Sequence, residues 1–272
     1  MKKMPHSSTS RATAKTPVRH SIVGHADTTE RGERLQKILA ARGLGSRREI
    51  ERWIGEGRIR VNGQLAKPGL RVTVHDRIEL DQRPLTALQN TRRRVLLYHK
   101  AVGQICSRDD PKGRPTIFSG LPPLRSARWI SIGRLDFNTS GLLLLTTDGQ
   151  FANRMMHPSS QIEREYLCRV RGRINKDVLE KLRQGMLLDG YLARFCGIQK
   201  TNSEHHKGSN QWYQVVLREG RYREVRRLWQ LVDCTVSRLI RIRYGTLVLP
   251  KKLAPGQFLE LDAARINNLA MQ

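Results

Sequence analysis

The hydrophobic positions along the chain change period several times, and each change marks an element. Leu35, Ile38 and Leu39 fall at helical spacing before Gly43, which predicts a short helix over 33–43. Ser46 stands three residues before Glu49, a capping box that opens a second helix with Ile50 and Ile54 on its buried face. Residues 58–61 read as a short strand, and Asn62-Gly63 is a strong hairpin signal. Val72, Val74, Ile78 and Leu80 continue in strands to about residue 81. Residues 84–94 are polar and basic and read as a linker, and a new strand opens at Val95. Leu142 to Leu145 is a continuous apolar run bounded by Gly141 and Asp148-Gly149, the pattern of a fully buried strand. Asp148 can cap a helix over 150–157, ended by Pro158. Residues 163–171 alternate, with Tyr166, Cys168 and Val170 on one side. Asn175 caps a helix carrying Val178, Leu179 and Leu182, and 211–217 is a strand after a polar loop at 202–210. Val225, Leu228 and Trp229 then form one helical face, ringed by Arg223, Arg226 and Arg227. The last long strand, 236–244, places Ile240, Ile242 and Tyr244 on one face and Leu239, Arg241 and Arg243 on the other. Such arginines suit either a wall facing nucleic acid or an ordinary exposed sheet face.

This succession of helices and strands predicts an α+β protein with two folded units and no internal repeat. We divide it into a basic tail at 1–31, a small unit at 32–82, a linker at 83–94 and a larger unit at 95–264. The tail is rich in Ser, Thr, Lys, Arg and His and poor in large apolar residues, which predicts disorder. It lacks the apolar core of a secretory signal. Its basic, acid-poor character is shared with organellar transit peptides; contact with an RNA backbone is the simpler account.

Charge narrows the partner. Among 272 residues, 50 are lysine or arginine and 24 are aspartate or glutamate, a formal charge of +26. So large an excess on a folding chain points to a polyanion. No apolar run approaches the ~20 residues of a membrane-spanning helix, which argues against a membrane. The four cysteines form no C-x-x-C pair, and the histidines have no ligand spacing with them. Neither a metal site nor a disulfide framework is expected, and a reducing, cytoplasmic compartment is. There is no phosphate-binding glycine loop, and Gly43-x-Gly45 lacks the third glycine of a dinucleotide site.

The chemistry concentrates in G-R-L-D-F-N-T-S-G-L-L-L-L-T-T-D-G, residues 133–149. Asp136 sits in a polar loop that feeds the buried strand. By itself it is as well explained by a turn residue bonding its own backbone. Tyr166 and an arginine within 221–227 change that balance. A carboxylate nucleophile under a bound substrate needs a guanidinium to stay ionised, and a tyrosine ring can stack on a flipped base. Asp109-Asp110-Pro111 reads as turn chemistry rather than a metal site.

Two resemblances rest on these motifs. L-Q-K-I-L-A-A-R-G, S-R-R-E-I-E-R-W-I and G-R-I-R-V-N-G resemble an S4 RNA-binding domain, which implies RNA contact through Arg47, Arg48, Arg52 and Arg58. G-R-L-D-F-N-T-S-G, E-R-E-Y and E-G-R-Y-R-E-V-R-R-L-W-Q resemble the RNA pseudouridine synthases, and with the S4-like unit in front, the subfamily that modifies ribosomal RNA. That resemblance spans about 32–261. It implies a mixed, mainly antiparallel sheet with flanking helices, and isomerisation of uridine in large-subunit (23S) ribosomal RNA without metal or cofactor. It implies Asp136 as nucleophile, Tyr166 packed on the target base and Arg226 paired with Asp136. It also implies Arg134 entering the RNA where the uridine leaves, and Leu239 as an aliphatic wall. The partner is ribosomal RNA, free or in a precursor particle, and the protein is expected to be a monomer without an obligate protein partner. Phe137, Tyr222 and Ala101 depart from the usual residues. The rivals are a non-catalytic ribosome-assembly factor on the same scaffold and a methyltransferase fused to an S4-like unit; the missing cofactor loop argues against the latter.

Overall fold

The computed structural model of the protein describes residues 32–85, 92–125, 127–201 and 210–271. The expected tail, the middle of the expected linker and most of the polar loop near 202–210 lie outside the described residues.

The small unit forms as its capping and turn residues dictate. Ser46 accepts from the Glu49 amide while the Glu49 carboxylate accepts from the Ser46 amide, both at 3.1 Å. The Arg47–Gly55 helix starts there because two otherwise orphaned amides are satisfied reciprocally. It packs on the Leu35–Ala41 helix through Ile50 and Ile54, against Leu35 and Leu39. The first helix begins two residues later than its pattern suggests, because Glu33–Arg34 pairs instead with Arg71–Val72. Asn62 and Gly63 both take left-handed backbone, joining the Ile59–Val61 and Gln64–Leu65 strands in the hairpin this dipeptide favours. Val74 does not lie in a strand. It is exposed in the turn that Asp76 organises by accepting from the Thr73 amide and hydroxyl.

The larger unit is built on one nine-stranded sheet. Its order runs Gly197–Lys200, Asn210–Leu217, Arg164–Arg171, Thr235–Tyr244, Ser140–Thr146, Val95–Lys100 and Phe258–Glu260, with two short strands, Ile130–Ile132 and Leu247–Val248, alongside. All pairings are antiparallel except that between Thr235–Tyr244 and Ser140–Thr146. All seven residues of Ser140–Thr146 are buried. Leu143 and Leu145 join one core, and Leu142 and Leu144 join a second on the opposite face, as the continuous apolar run requires of a strand covered on both sides. The Gly149–Met156, Lys176–Gln184 and Glu224–Gln230 helices supply the covers; the first two start at Asp148 and Asn175, whose side chains accept from their first-turn amides.

The alternation predicted for 236–244 fails at two points. Register shifts against the Arg164–Arg171 partner insert one extra residue near Ser237 and another near Ile242, and bulges of this kind re-aim the side chains beyond them. Val236, Leu239, Arg241 and Tyr244 are all buried. Tyr244 is thereby brought to line the same cleft as Leu239 and Arg241, and the buried Arg241 is not on an exposed wall.

The parallel pairing makes one glycine obligatory. Gly141 lies at φ +110°, and a Cβ there would sit 2.2 Å from the Arg241 carbonyl oxygen. Backbone on backbone cannot give way. We expect Gly141→Ala to destabilise the protein by about 3 kcal/mol or more, read as a fall in the denaturant midpoint.

Candidate active site

Asp136 occupies the loop between the Ile130–Ile132 and Ser140–Thr146 strands. The main chain of that loop is captured carbonyl by carbonyl. The Cys106 thiol donates to the Leu135 oxygen at 3.4 Å. The Asp136 oxygen accepts from Lys100 Nζ and from the Thr139 amide, both at 3.0 Å. The Phe137 oxygen accepts from the Gly103 amide at 3.0 Å, and the Asn138 oxygen from Arg226 Nη2 at 2.9 Å. The Thr139 oxygen takes Lys100 Nζ at 2.9 Å. Lys100 is fully buried at the end of the Val95–Lys100 strand, and its third donor goes to the Ala101 oxygen at 3.0 Å. Three carbonyl dipoles thus saturate its three N–H groups. Burial pushes the Lys100 ammonium down from the usual lysine value, while the Asp136 charge acts against that shift.

With its backbone fixed, the half-buried Asp136 side chain makes no hydrogen bond to a described residue. It faces a cleft of about 980 Å³ that Tyr166, Leu239 and Arg134 also line. Tyr166 and Leu239 reach the same face of two neighbouring strands, through the cross-strand pairs Tyr166–Arg241 and Cys168–Leu239. Arg134 is exposed at the rim, where Arg114, Arg221 and Arg223 also stand. Phe137 and Tyr222, two of the unusual residues, line the cleft with exposed rings.

Arg226 comes to the back of the loop without the direct ion pair expected of it. Its Nη1 donates to the Val236 oxygen at 2.7 Å and its Nη2 to Asn138, so its fork is used on main chain. Burial lowers the Arg226 guanidinium from its usual value and Arg223 adds to this, whereas the Asp136 charge opposes it. The two charges feel each other across the loop.

The candidates in the small unit divide. Arg47 and Arg48 are exposed at the helix start and form no ion pair among the described residues. Arg52 lies 3.5 Å from Glu56. Arg58 grips both Asp81 oxygens, at 2.8 and 2.6 Å, and lies over the Trp53 ring; it holds the unit together. Among the described residues no group of three or more His, Cys, Asp or Glu could hold a metal ion, and no described helix is long and apolar enough to cross a membrane.

The structure brings Asp136 and Tyr166 to one cleft with arginines at its rim. Comparison with known proteins decides the family. The description of RNA pseudouridylate synthases matches residues 94–231 and that of the S4 domain matches residues 33–78. The chain belongs to the RNA pseudouridylate synthase family. It is 49% identical over 241 residues to ribosomal large subunit pseudouridine synthase B of Pseudomonas aeruginosa, covering 88% of this chain and 62% of that protein. Its identity to the Shigella flexneri protein of the same name is 52%, covering 87% and 82%. The chain therefore spans about three-fifths of the Pseudomonas relative. A crystal structure of a pseudouridylate synthase superposes with a TM-score of 0.60 at 26% identity, over 88% of this chain and 100% of that one. The α+β architecture, with an S4 domain ahead of a mixed sheet, is thereby the synthase one.

Two residues of this site escaped the sequence reading, Lys100 and Cys106. The lysine could have been noticed as the one charged residue closing the apolar run V-L-L-Y-H-K; the cysteine carried no signal of its own. We expect Lys100→Met to cost about 3 kcal/mol, because it orphans buried carbonyls. Amide exchange should accelerate at Thr139, whose turn Lys100 closes, in a deuterium-exchange measurement. Unchanged exchange there would show that the loop does not depend on the lysine.

Proposed function

We propose that this protein isomerises uridine to pseudouridine in ribosomal RNA, that of the large subunit, as its named relatives suggest. The observation that carries this reading is Asp136, held by its own backbone at the wall of a cleft whose inner face offers Tyr166 and Leu239. In the proposed reaction the uridine leaves its helix and enters the cleft, with Arg134 filling the space behind it. The uracil lies between Tyr166 and Leu239. The Asp136 carboxylate acts as nucleophile on C1′ as the glycosidic N1–C1′ bond breaks with its electron pair leaving on uracil, and the ring turns. C5 then bonds C1′ and displaces the carboxylate, the C5 proton is released, and N1 takes up a proton. Atoms and electrons balance within the nucleotide, so the reaction asks for no redox carrier.

Arg226 supports this assignment by bonding the Asn138 carbonyl and placing positive charge behind the nucleophile. Arg47 and Arg48 are proposed to dock the RNA backbone, and Arg52 and Arg58 to contribute less, being already engaged by Glu56 and Asp81. Phosphate contacts of this kind position a substrate without reading its sequence. The proposed substrate is ribosomal RNA, free or within a precursor particle, taken up by a monomer.

Two measurements test this reading. Asp136→Asn should still bind ribosomal RNA and release no tritium from RNA labelled at uracil C5; release at the wild-type rate would remove Asp136 as nucleophile. No release by the wild type from any ribosomal RNA would favour the assembly-factor alternative. Replacing Arg47 and Arg48 together by alanine should weaken RNA binding and reduce the slope of log K against log salt by about one to two. An unchanged affinity would place docking elsewhere.

A further inference from the structure

The floor of the cleft holds a cation that the proposed mechanism leaves idle. Arg241 is 2% exposed and lines the same cleft as Asp136. Its Nε donates to the Leu142 oxygen at 2.7 Å, and its Nη2 is buried with no hydrogen-bond partner. Arg243, two residues on, is held by Glu163 and Glu165, whereas Arg241 forms no ion pair among the described residues. The other buried arginine of the cleft, Arg164, uses its Nη1 on the Ile162 and Arg218 oxygens. A buried guanidinium with unused N–H groups costs several kcal/mol unless something answers it. The Tyr244 ring, 5.2 Å from the Arg241 Cζ, answers it only in part. Beside it a second buried polar atom is also unpartnered, the hydroxyl of Thr139, and Thr139 lines the cleft too.

We propose that Arg241 is a further catalytic and specificity residue, donating from its guanidinium to a carbonyl oxygen of the flipped uracil. This inference rests on the pseudouridine-forming reading and deepens it. Its position argues for the base rather than a phosphate. Arg241 pairs across the strands with Tyr166, and Leu239 lies two residues before it on the same face, so it borders the slot in which the uracil would lie. The rim arginines 114, 134, 221 and 223 stand where a backbone passes; the deep position is reached by a base edge. Uracil presents acceptors at both C2 and C4, whereas cytosine presents an amino group at C4. When N1–C1′ breaks, the electron pair left on uracil is delocalised onto those two oxygens. A donor fixed at one of them in a water-poor site strengthens as that charge develops.

The test is a cycle between side chain and substrate atom, using the full-length protein and ribosomal RNA fragments with uridine, 2-thiouridine or 4-thiouridine at the target. Sulfur is the poorer acceptor, so one of the two thio substrates should turn over more slowly with the wild type. Arg241→Gln should lower kcat on the uridine substrate by about 100-fold, leave KM little changed, and lose the discrimination against that thio substrate. A wild type indifferent to both sulfur substitutions overturns the proposal, and that arm needs no folded variant. A variant that keeps the full thio effect also overturns it, whether it is merely unstable or raises KM as a phosphate contact would. Failure of the underlying reading looks different: the wild type then makes no pseudouridine on any of the three RNAs.

Discussion

The structure turns on an ammonium group that never meets solvent. Lys100 Nζ gives its three protons to the carbonyls of Ala101, Asp136 and Thr139, and around it Cys106, Gly103 and Arg226 take the oxygens between. A loop would otherwise be the softest part of a fold. This one has every carbonyl from 135 to 139 engaged, by donors from residues 100–106 and from Arg226. The carboxylate can then be aimed without itself being tied down, which a nucleophile needs and a turn residue does not. For the proposed nucleophile, bonds to the side chain would have to be broken before reaction, and bonds to the backbone would not.

The arginines divide by the same logic. Some are structural staples: Arg58 on Asp81, Arg94 on Glu260 and Arg227 on Asp189 each hold two segments through both carboxylate oxygens. Others, Arg134 and Arg223 at the cleft rim and Arg47 and Arg48 at the start of the Arg47–Gly55 helix, form no ion pair among the described residues, whereas Arg114 and Arg221 at the rim are held by Asp110 and Glu219. The net charge of +26 overstates the surface available to an RNA for that reason, and individual partners, not the total, show where a phosphate would be welcome.

What the sequence made legible was local. The Ser46–Glu49 capping box, the Asn62-Gly63 hairpin, the Asp148 and Asn175 caps and the fully buried 142–145 run all depend on neighbours a few residues away, and the structure has each of them. What stayed hidden depends on distance along the chain. Arg226 meets Asn138 across 88 positions, and no spacing announces that its fork is used on a carbonyl rather than on Asp136. The bulge near Ile242 belongs to the pairing with another strand. A strict two-residue period misses it, and with it the turn of Tyr244 toward the cleft of Leu239 and Arg241. The motifs located Asp136, Tyr166 and Leu239; the contacts that aim them come from residues with no pattern of their own.

Gly43 bears on how the S4 unit sits against the rest of the chain. Its α-carbon lies so close to Ala127 that an added Cβ would stand 2.7 Å from that residue's carbonyl oxygen, and nearby Gln150 bonds Glu33 at 3.0 Å. The S4 unit is thus seated against the body that carries the cleft. Under the proposed function, units seated in this way would hold an RNA segment on the S4 unit at a fixed span from the cleft. Selection among many identical nucleotides can then come from a length, set by the seam between the units, without any side chain having to read the surrounding bases.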